Sequence, residues 1–276
     1  METATMNNHN RYLDLMRNIL TCSMWEDPPL PFDALAMQYP RWSLRKFAYF
    51  RMLRPLLEKR NFVLCKRGVH YWPVQAHTMM PMGMLKSLQT CVETIIDDKV
   101  QGDLIETGVW RGGACIMMKA VLEAYGDSSR RIFVADSFEG LPKPDQDQFP
   151  SDAGATFHNI PYLSVSLEEV RHNFARYGLL DNRVIFLKGW FKDTLPTLPS
   201  NRLAVMRLDG DMYESTIQGL TNLYPKLSTG GFCIIDDWPL GPCKKAVEDY
   251  RKANNIHDEI VDPGFGGFGV FWRKTT

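Results

Sequence analysis

The chain has 276 residues, 45% of them apolar, with 32 basic and 32 acidic side chains and a formal net charge of zero. That length suits one large α/β domain with an appendage, and the charge balance excludes the electrostatic footprint of a nucleic-acid or anionic-membrane binder, which leaves a small molecule as the expected partner. The first residues lack a cationic stretch followed by an apolar one, no apolar run approaches a membrane span, and the six cysteines (Cys22, Cys65, Cys91, Cys115, Cys233, Cys243) form no CxxC pair, so the expectation is a cytoplasmic protein with reduced thiols.

Helical spacing first appears at Tyr12, Leu15, Met16, Ile19 and Leu20, and the proline-rich DPPLPF ends it. Residues 26–75 mix aromatics, arginines and prolines, with one helix expected around 43–58. Residues 1–75 are therefore read as a mostly helical extension that covers the active site or forms a subunit contact, and residues 76–276 as the main domain. Apolar and aromatic side chains in the extension predict a homo-oligomer.

A helix is predicted over Met84–Ile96, from apolar residues repeating at three and four. Strands and helices then alternate. DLIETGV, RIFVADSFEG, RVIFLKGWF, LAVMRLDGD and GGFCIIDDW read as strands, separated by the helical segments RGGACIMMKAVLEAYG, SLEEVRHNFARYG and TIQGLTNLYPKL, and followed by PCKKAVEDYRKANN. Such alternation predicts a mostly parallel sheet with helices on both faces. Ser166 and Glu169 are spaced as a capping box at one helix start, and Gly178 closes that helix. The long polar stretch 143–166 reads as a lid or as a surface loop, and EIVDPGFGGFGVFWRK as a closing hairpin that puts an antiparallel strand at the sheet edge.

The chemistry concentrates at strand ends. Asp209 and Asp211 end one apolar run and Asp236 and Asp237 end the next, so four carboxylates reach the carboxyl edge of the sheet, where open α/β folds bind ligands. Acids crowded there either raise one another's pKa or share a divalent cation. The segment Glu106–Gly113 opens a helix after the first core strand but lacks the GxGxxG fingerprint. An acid beside that turn repels a pyrophosphate and attracts an ammonium or sulfonium. Asp136, ending the second strand, is suited to a ribose hydroxyl pair. Together these describe a site for S-adenosylmethionine, with Gly189 and Trp190 flanking its adenine or, in the plainer reading, packing in the core.

Over Ala76 to Arg251, the segments AHTMM, LIETGVWRGGACIMM, VADSFEGLPKPD, SVSLEEVRHNFARYGLLD, GWFKDTLP, RLDGDMYEST, LYPKLSTGGFCIIDDW and PCKKAVEDYR strongly resemble the macrocin O-methyltransferase family, the TylF/MycF type of class I methyltransferase that modifies sugars of macrolide and related antibiotics. The resemblance implies a Rossmann-like class I methyltransferase fold and S-adenosylmethionine as donor. It also implies Mg²⁺ on Asp209, Asp236 and Asp237, and Asp211 as general base. The donor contacts expected on this basis are Thr78, Glu106, Gly108, Arg111, Gly112, Asp136, Ser137, Gly189, Trp190 and Asp209. Two departures fall on the acceptor side: Trp238 follows the acid pair where many relatives carry tyrosine, and MMPMGML after His77 is rich in methionine. His77 itself either orients the acceptor or packs as a hydrogen-bonded core residue.

The leading acceptor is therefore a sugar hydroxyl on a glycosylated natural product. A vicinal phenol is the alternative, suited to Trp25, Trp42, Tyr49 and Phe50. A catalytically silent binder of metal or nucleotide is a third reading, against which the intact set of acids argues.

Overall fold

The computed structural model of the protein describes residues 2–25, 72–264 and 269–276, with side chains from Asn8 onward. The helix expected around 43–58, together with Trp42, Tyr49, Phe50 and Cys65, lies outside the described residues. Helix α1 spans Glu2–Leu20 and α2 spans Met82–Asp97. Strand β1 (Asp103–Thr107), helix α3 (Gly113–Ala124), strand β2 (Ile132–Asp136), helix α4 (Leu167–Arg176) and strand β3 (Val184–Lys188) follow. After the short α5 (Phe191–Thr194) come β4 (Leu203–Leu208), α6 (Tyr213–Leu223), β5 (Leu227–Ile235), α7 (Gly241–Ala253) and β6 (Val270–Arg273).

The sheet has six strands in the order β3-β2-β1-β4-β5-β6. Neighbours among β1 to β5 run parallel, and β6 runs antiparallel to β5 at the edge, as the alternation of elements predicts. Among the described residues the closing hairpin shows one antiparallel bridge, Val261 with Phe271, while Phe271 also pairs with Ile234 of β5.

The unbroken apolar runs follow from burial on both faces. Leu104, Ile132, Val134 and Ile234 point into one core with α2 and α3, whereas Ile105, Phe133, Ala135 and Ile235 point into the other with α6 and α7. Successive residues of one strand thus feed opposite cores, and no position on the central strands is free to be polar without a function or a partner. Helix α1 contributes Leu13, Met16 and Leu20 to the first core, and its last carbonyl accepts from the His77 backbone N–H at 2.9 Å. Ser166 Oγ accepts from the Glu169 N–H at 3.1 Å, so the predicted cap opens α4. Gly178, at φ +68°, closes the same helix.

The segment 143–166 is folded as three short 3-10 turns, Pro150–Asp152, Phe157–Asn159 and Pro161–Leu163. Its anchor is Asp152, 1% exposed, whose two oxygens accept from the backbone N–H groups of Tyr213 (2.7 Å) and Glu214 (2.9 Å) at the start of α6. A second tether joins the Trp110 indole N–H to the carbonyl of Tyr162 at 3.0 Å, with Tyr162 itself bonded to the carbonyl of Pro73. No described helix is long and apolar enough to cross a membrane.

Candidate active site

The strand order reverses between β1 and β4, and the carboxyl ends of these strands open into a cavity of about 1050 Å³. The parallel ladder continues one bond past the strand ends. Gly108 N–H bonds to Ala135 O, Asp209 N–H to Thr107 O, Gly189 N–H to Asp136 O, and Asp236 N–H to Leu208 O. Those bonds draw the terminal residues of four strands to one level.

One wall is a glycine cradle. Gly108 has φ +78°, and a Cβ there would overlap the carbonyl oxygen of Asp209, so only glycine fits this crossing of β1 and β4. Gly113 starts α3 against the backbone of His77 and the side chain of Thr78, which leaves no space for a methyl group. Thr78 lines this wall and accepts from the Met80 N–H at 3.1 Å. Asp136 staples the two strand ends together by accepting from Val109 N–H at 2.8 Å and Phe138 N–H at 2.7 Å. Burial raises its pKa, and the backbone bonds hold it back. Ser137, Gly189 and Trp190 complete the wall.

At the floor lies Glu106, buried at 2% exposure, with Cys115 donating its thiol at 2.8 Å. Burial raises the Glu106 pKa, and Arg207 opposes that shift. The guanidinium of Arg207 also bonds Asp209, at 2.9 Å, and Asp236. Burial alone would disfavour its charge, yet Asp236, Asp209 and Glu106 together keep the pKa well above the usual arginine value.

The acids themselves converge from β4 and β5. Carboxylate oxygens of Asp209, Asp211 and Asp237 lie within 4.8 Å of one another. Asp237 Oδ2 accepts from the N–H groups of Gly210 (3.0 Å) and Asp211 (2.8 Å), bracing a tight turn in which Asp211 adopts φ +59°. That is an uncommon conformation for a residue with a side chain, and the bracing carboxylate holds it. Burial, then the charges of Asp209 and Asp236, hold Asp211 at a pKa of about 7. Burial and acidic neighbours raise Asp209 and Asp237 well above the ordinary range as well. Five formal negative charges face one guanidinium here, and three hard oxygen donors in reach of a common point suit a divalent cation such as Mg²⁺.

The expected residues fall into three groups. Thr78, Glu106, Gly108, Asp136, Ser137, Gly189, Trp190, Asp209, Asp211, Asp236 and Asp237 all line the cavity. Asp236 Oδ1 is engaged by Arg207, and the compact acid trio consists of Asp209, Asp211 and Asp237. Arg111 and Gly112 stand behind the wall. The Arg111 guanidinium donates to the carbonyls of Val74 and Ala76, both at 2.9 Å, and lies 4.3 Å from the centre of the Trp110 ring. Gly112, at φ +86°, packs on Val170. His77 bonds Tyr177 through Nδ1 at 2.7 Å and does not line the cavity. Burial, with Arg176 and Arg111 nearby, lowers its pKa to about 4, so it is neutral near pH 7.

Part of the lining is largely apolar. Met79, Met80 and Met84 from the methionine-rich segment form it with Trp72, Phe157 and Leu163. Trp238 instead lies against Lys244, whose Nζ is 5.2 Å from the ring centre, and the following Pro239 and Leu240 reach the cavity. Two residues of consequence escaped the sequence reading. Arg207 carried a signal, being a charge inside an otherwise apolar strand; Asp152 carried none, since its partners lie 61 and 62 residues away.

Comparison with known proteins gives the family. The chain is 49% identical over 265 residues to the 8-demethyl-8-(2,3-dimethoxy-alpha-L-rhamnosyl)-tetracenomycin-C 4'-O-methyltransferase of Streptomyces olivaceus, covering 96% of this chain and 92% of that one. It is 51% identical over 207 residues to the mycinamicin III 3''-O-methyltransferase of Micromonospora griseorubida, covering 74% and 81% respectively. Among solved structures, the O-methyltransferase NovP superposes with a TM-score of 0.81 at 43% identity, over 97% of this chain and 100% of that one. The sequence profile of the macrocin O-methyltransferase (TylF) family matches residues 9–274. The chain belongs to that family and is an O-methyltransferase of the class I α/β fold.

Proposed function

We propose that the protein transfers a methyl group from S-adenosylmethionine to a hydroxyl of a sugar on a glycosylated natural product, with Mg²⁺ in the acid cluster. The observation that carries this reading is the meeting, in one cavity, of a glycine-lined cradle ending in Glu106 and an acid trio ending in Asp211. Glu106 accepts the donor's ammonium, Asp136 faces the ribose, and Trp190 flanks the adenine. A cavity of about 1050 Å³ exceeds what a single ligand needs, typically roughly 300–1000 Å³, and suits donor and acceptor together.

Asp209, Asp236 and Asp237 would hold the cation, with Arg207 bonded to one oxygen each of Asp209 and Asp236. When bound, the cation lowers the pKa of an acceptor hydroxyl and offsets the crowded carboxylates. Asp211 accepts the hydroxyl proton as the acceptor oxygen bonds to the methyl carbon and the carbon–sulfur bond breaks, its electron pair staying on sulfur. Burial raises the pKa of Asp211 above that of an ordinary aspartate and makes it the stronger base. The methionine-rich wall with Trp72 packs the apolar parts of the acceptor, and residues 1–75 act as cover and subunit contact in a homo-oligomer.

The sugar assignment draws support from the relatives. One of them acts at a 4' oxygen on a substrate bearing a rhamnosyl group, and another at a 3'' oxygen. The position thus varies within the family, and the acceptor wall sets it. The test is methyl transfer from labelled S-adenosylmethionine to glycosylated macrolides and aromatic polyketides, alongside catechol, with and without EDTA. Transfer to a sugar oxygen that EDTA abolishes is expected. Transfer to catechol alone, or full activity in EDTA, would replace the acceptor class or the cation respectively.

A further inference from the structure

Arg207 has no part in the methyl-transfer step above, yet it bonds three acids of the site. It is 1% exposed, on the central strand β4, and reaches acids at the ends of three different strands. Nη1 donates both to Glu106 of β1 and to Asp209 Oδ2, the latter at 2.9 Å. Nη2 donates to Asp236 Oδ1 at the end of β5, and Nε, also buried, has no hydrogen-bond partner among the described residues. One guanidinium therefore links the acid that faces the donor to two of the acids that face the cation.

A counter-ion needs only charge, whereas this arrangement uses shape. Each bond engages one named oxygen of Asp209 and Asp236 and thereby orients the plane of the carboxylate, which fixes where its second oxygen points. A guanidinium is planar, with donors in fixed directions, so the directions of its three acid partners are tied to one another. An ammonium is a compact point charge and carries no such constraint. Carboxylates that ligate metals depend on hydrogen-bonded partners of this kind for their orientation.

We propose that Arg207 is a positioning residue that organises both halves of the site at once, orienting Asp209 and Asp236 toward the cation and Glu106 toward the cationic end of the donor. The inference rests on the donor and cation reading of the site given above. It separates cleanly from a role as mere counter-charge. With a counter-charge alone, a lysine would serve equally well, and removing the charge would leave a more negative cluster that binds a cation more tightly.

The experiment is Mn²⁺ binding followed by electron paramagnetic resonance, and S-adenosylhomocysteine binding by calorimetry, on the full-length wild type, Arg207→Lys and Arg207→Gln, with near-UV circular dichroism as the check of folding. Both variants are expected to bind Mn²⁺ on the order of 10–100-fold more weakly, as for other supporting partners of metal ligands, and to bind S-adenosylhomocysteine more weakly as well. Wild-type Mn²⁺ affinity in Arg207→Lys together with tighter binding in Arg207→Gln would overturn the proposal while leaving the cation site standing. A wild type that binds S-adenosylhomocysteine but no Mn²⁺ would overturn the cation reading and the proposal with it. Should neither variant fold, the wild type labelled with ¹⁵N-arginine decides. The Arg207 Nε–H resonance is expected to stay resolved and protected when Mg²⁺ is added, and its loss to the bulk arginine signal would show the cation displacing the guanidinium, which overturns the proposal.

Discussion

Replacing Asp152 by alanine tests whether the segment 143–166 is held by one buried carboxylate. Asp152 accepts two backbone N–H groups, at 2.7 and 2.9 Å, in the first turn of α6, and it is 1% exposed. Hydrogen bonds to a charged group contribute about 1.5–3 kcal/mol each, and an anion at a partly buried helix start adds up to ~2 kcal/mol. These contributions overlap, so alanine is expected to cost about 3 kcal/mol, and asparagine, which keeps an acceptor oxygen but loses the charge, about 1 kcal/mol. If the loss is confined to this segment and the α6 start, native-state proteolysis within 143–166 rises roughly a hundredfold in Asp152→Ala, because the open population follows the local free energy. If it is shared by the whole domain, Tm falls instead, by roughly 6–12 °C at about 2–4 °C per kcal/mol. An alanine variant within about 0.5 kcal/mol of wild type by both assays refutes the anchor. So does asparagine proving as harmful as alanine, since the acceptor oxygen it retains should keep one of the two bonds to the α6 start.

Three further outcomes follow from the site. Asp211→Asn should reduce turnover by about 10²–10⁴-fold with little change in S-adenosylhomocysteine affinity, the range typical of a lost general base; equal turnover would remove Asp211 from that role. Asp211 is held at about 7, above its unfolded value near 3.8, so its contribution to stability is complete below about pH 4 and is lost as pH rises through about 7. Asp209 and Asp237 shift in the same direction, so the metal-free protein weakens toward alkaline pH. Mg²⁺ should therefore stabilise the protein more at pH 8 than at pH 6, by up to about 1.4 kcal/mol per pH unit for each proton displaced, and an equal rise in Tm at both would contradict the cluster's role. Gly108→Ala places a methyl group against the Asp209 carbonyl at φ +78°, where the left-handed backbone alone costs ~1–2 kcal/mol. It should weaken S-adenosylhomocysteine binding by at least about tenfold, and calorimetry showing wild-type affinity would refute the close crossing of β1 and β4.

The sequence by itself determined the parts of this protein that are local or repetitive. Apolar runs split between two faces made β1, β2, β4 and β5 legible, the three-and-four spacing made α2 and α3 legible, and Ser166 with Glu169 N–H marked the start of α4. Acids at the ends of apolar runs located Glu106, Asp136, Asp209, Asp211, Asp236 and Asp237, since a strand that enters a parallel sheet must deliver its last residue to the carboxyl edge. What lay beyond the sequence was which of these groups face one another. Arg207 meets Glu106 because β4 lies beside β1, and it meets Asp236 because β5 lies on its other side, so the assignment of Asp236 to Arg207 follows from strand order and register. The same holds for Asp152 on α6 and for Arg111 on the carbonyls of Val74 and Ala76. Spacing along a chain specifies the direction of a side chain relative to its own helix or strand, but a hydrogen bond forms within about 3 Å between groups far apart in sequence, and only the packed sheet sets that distance.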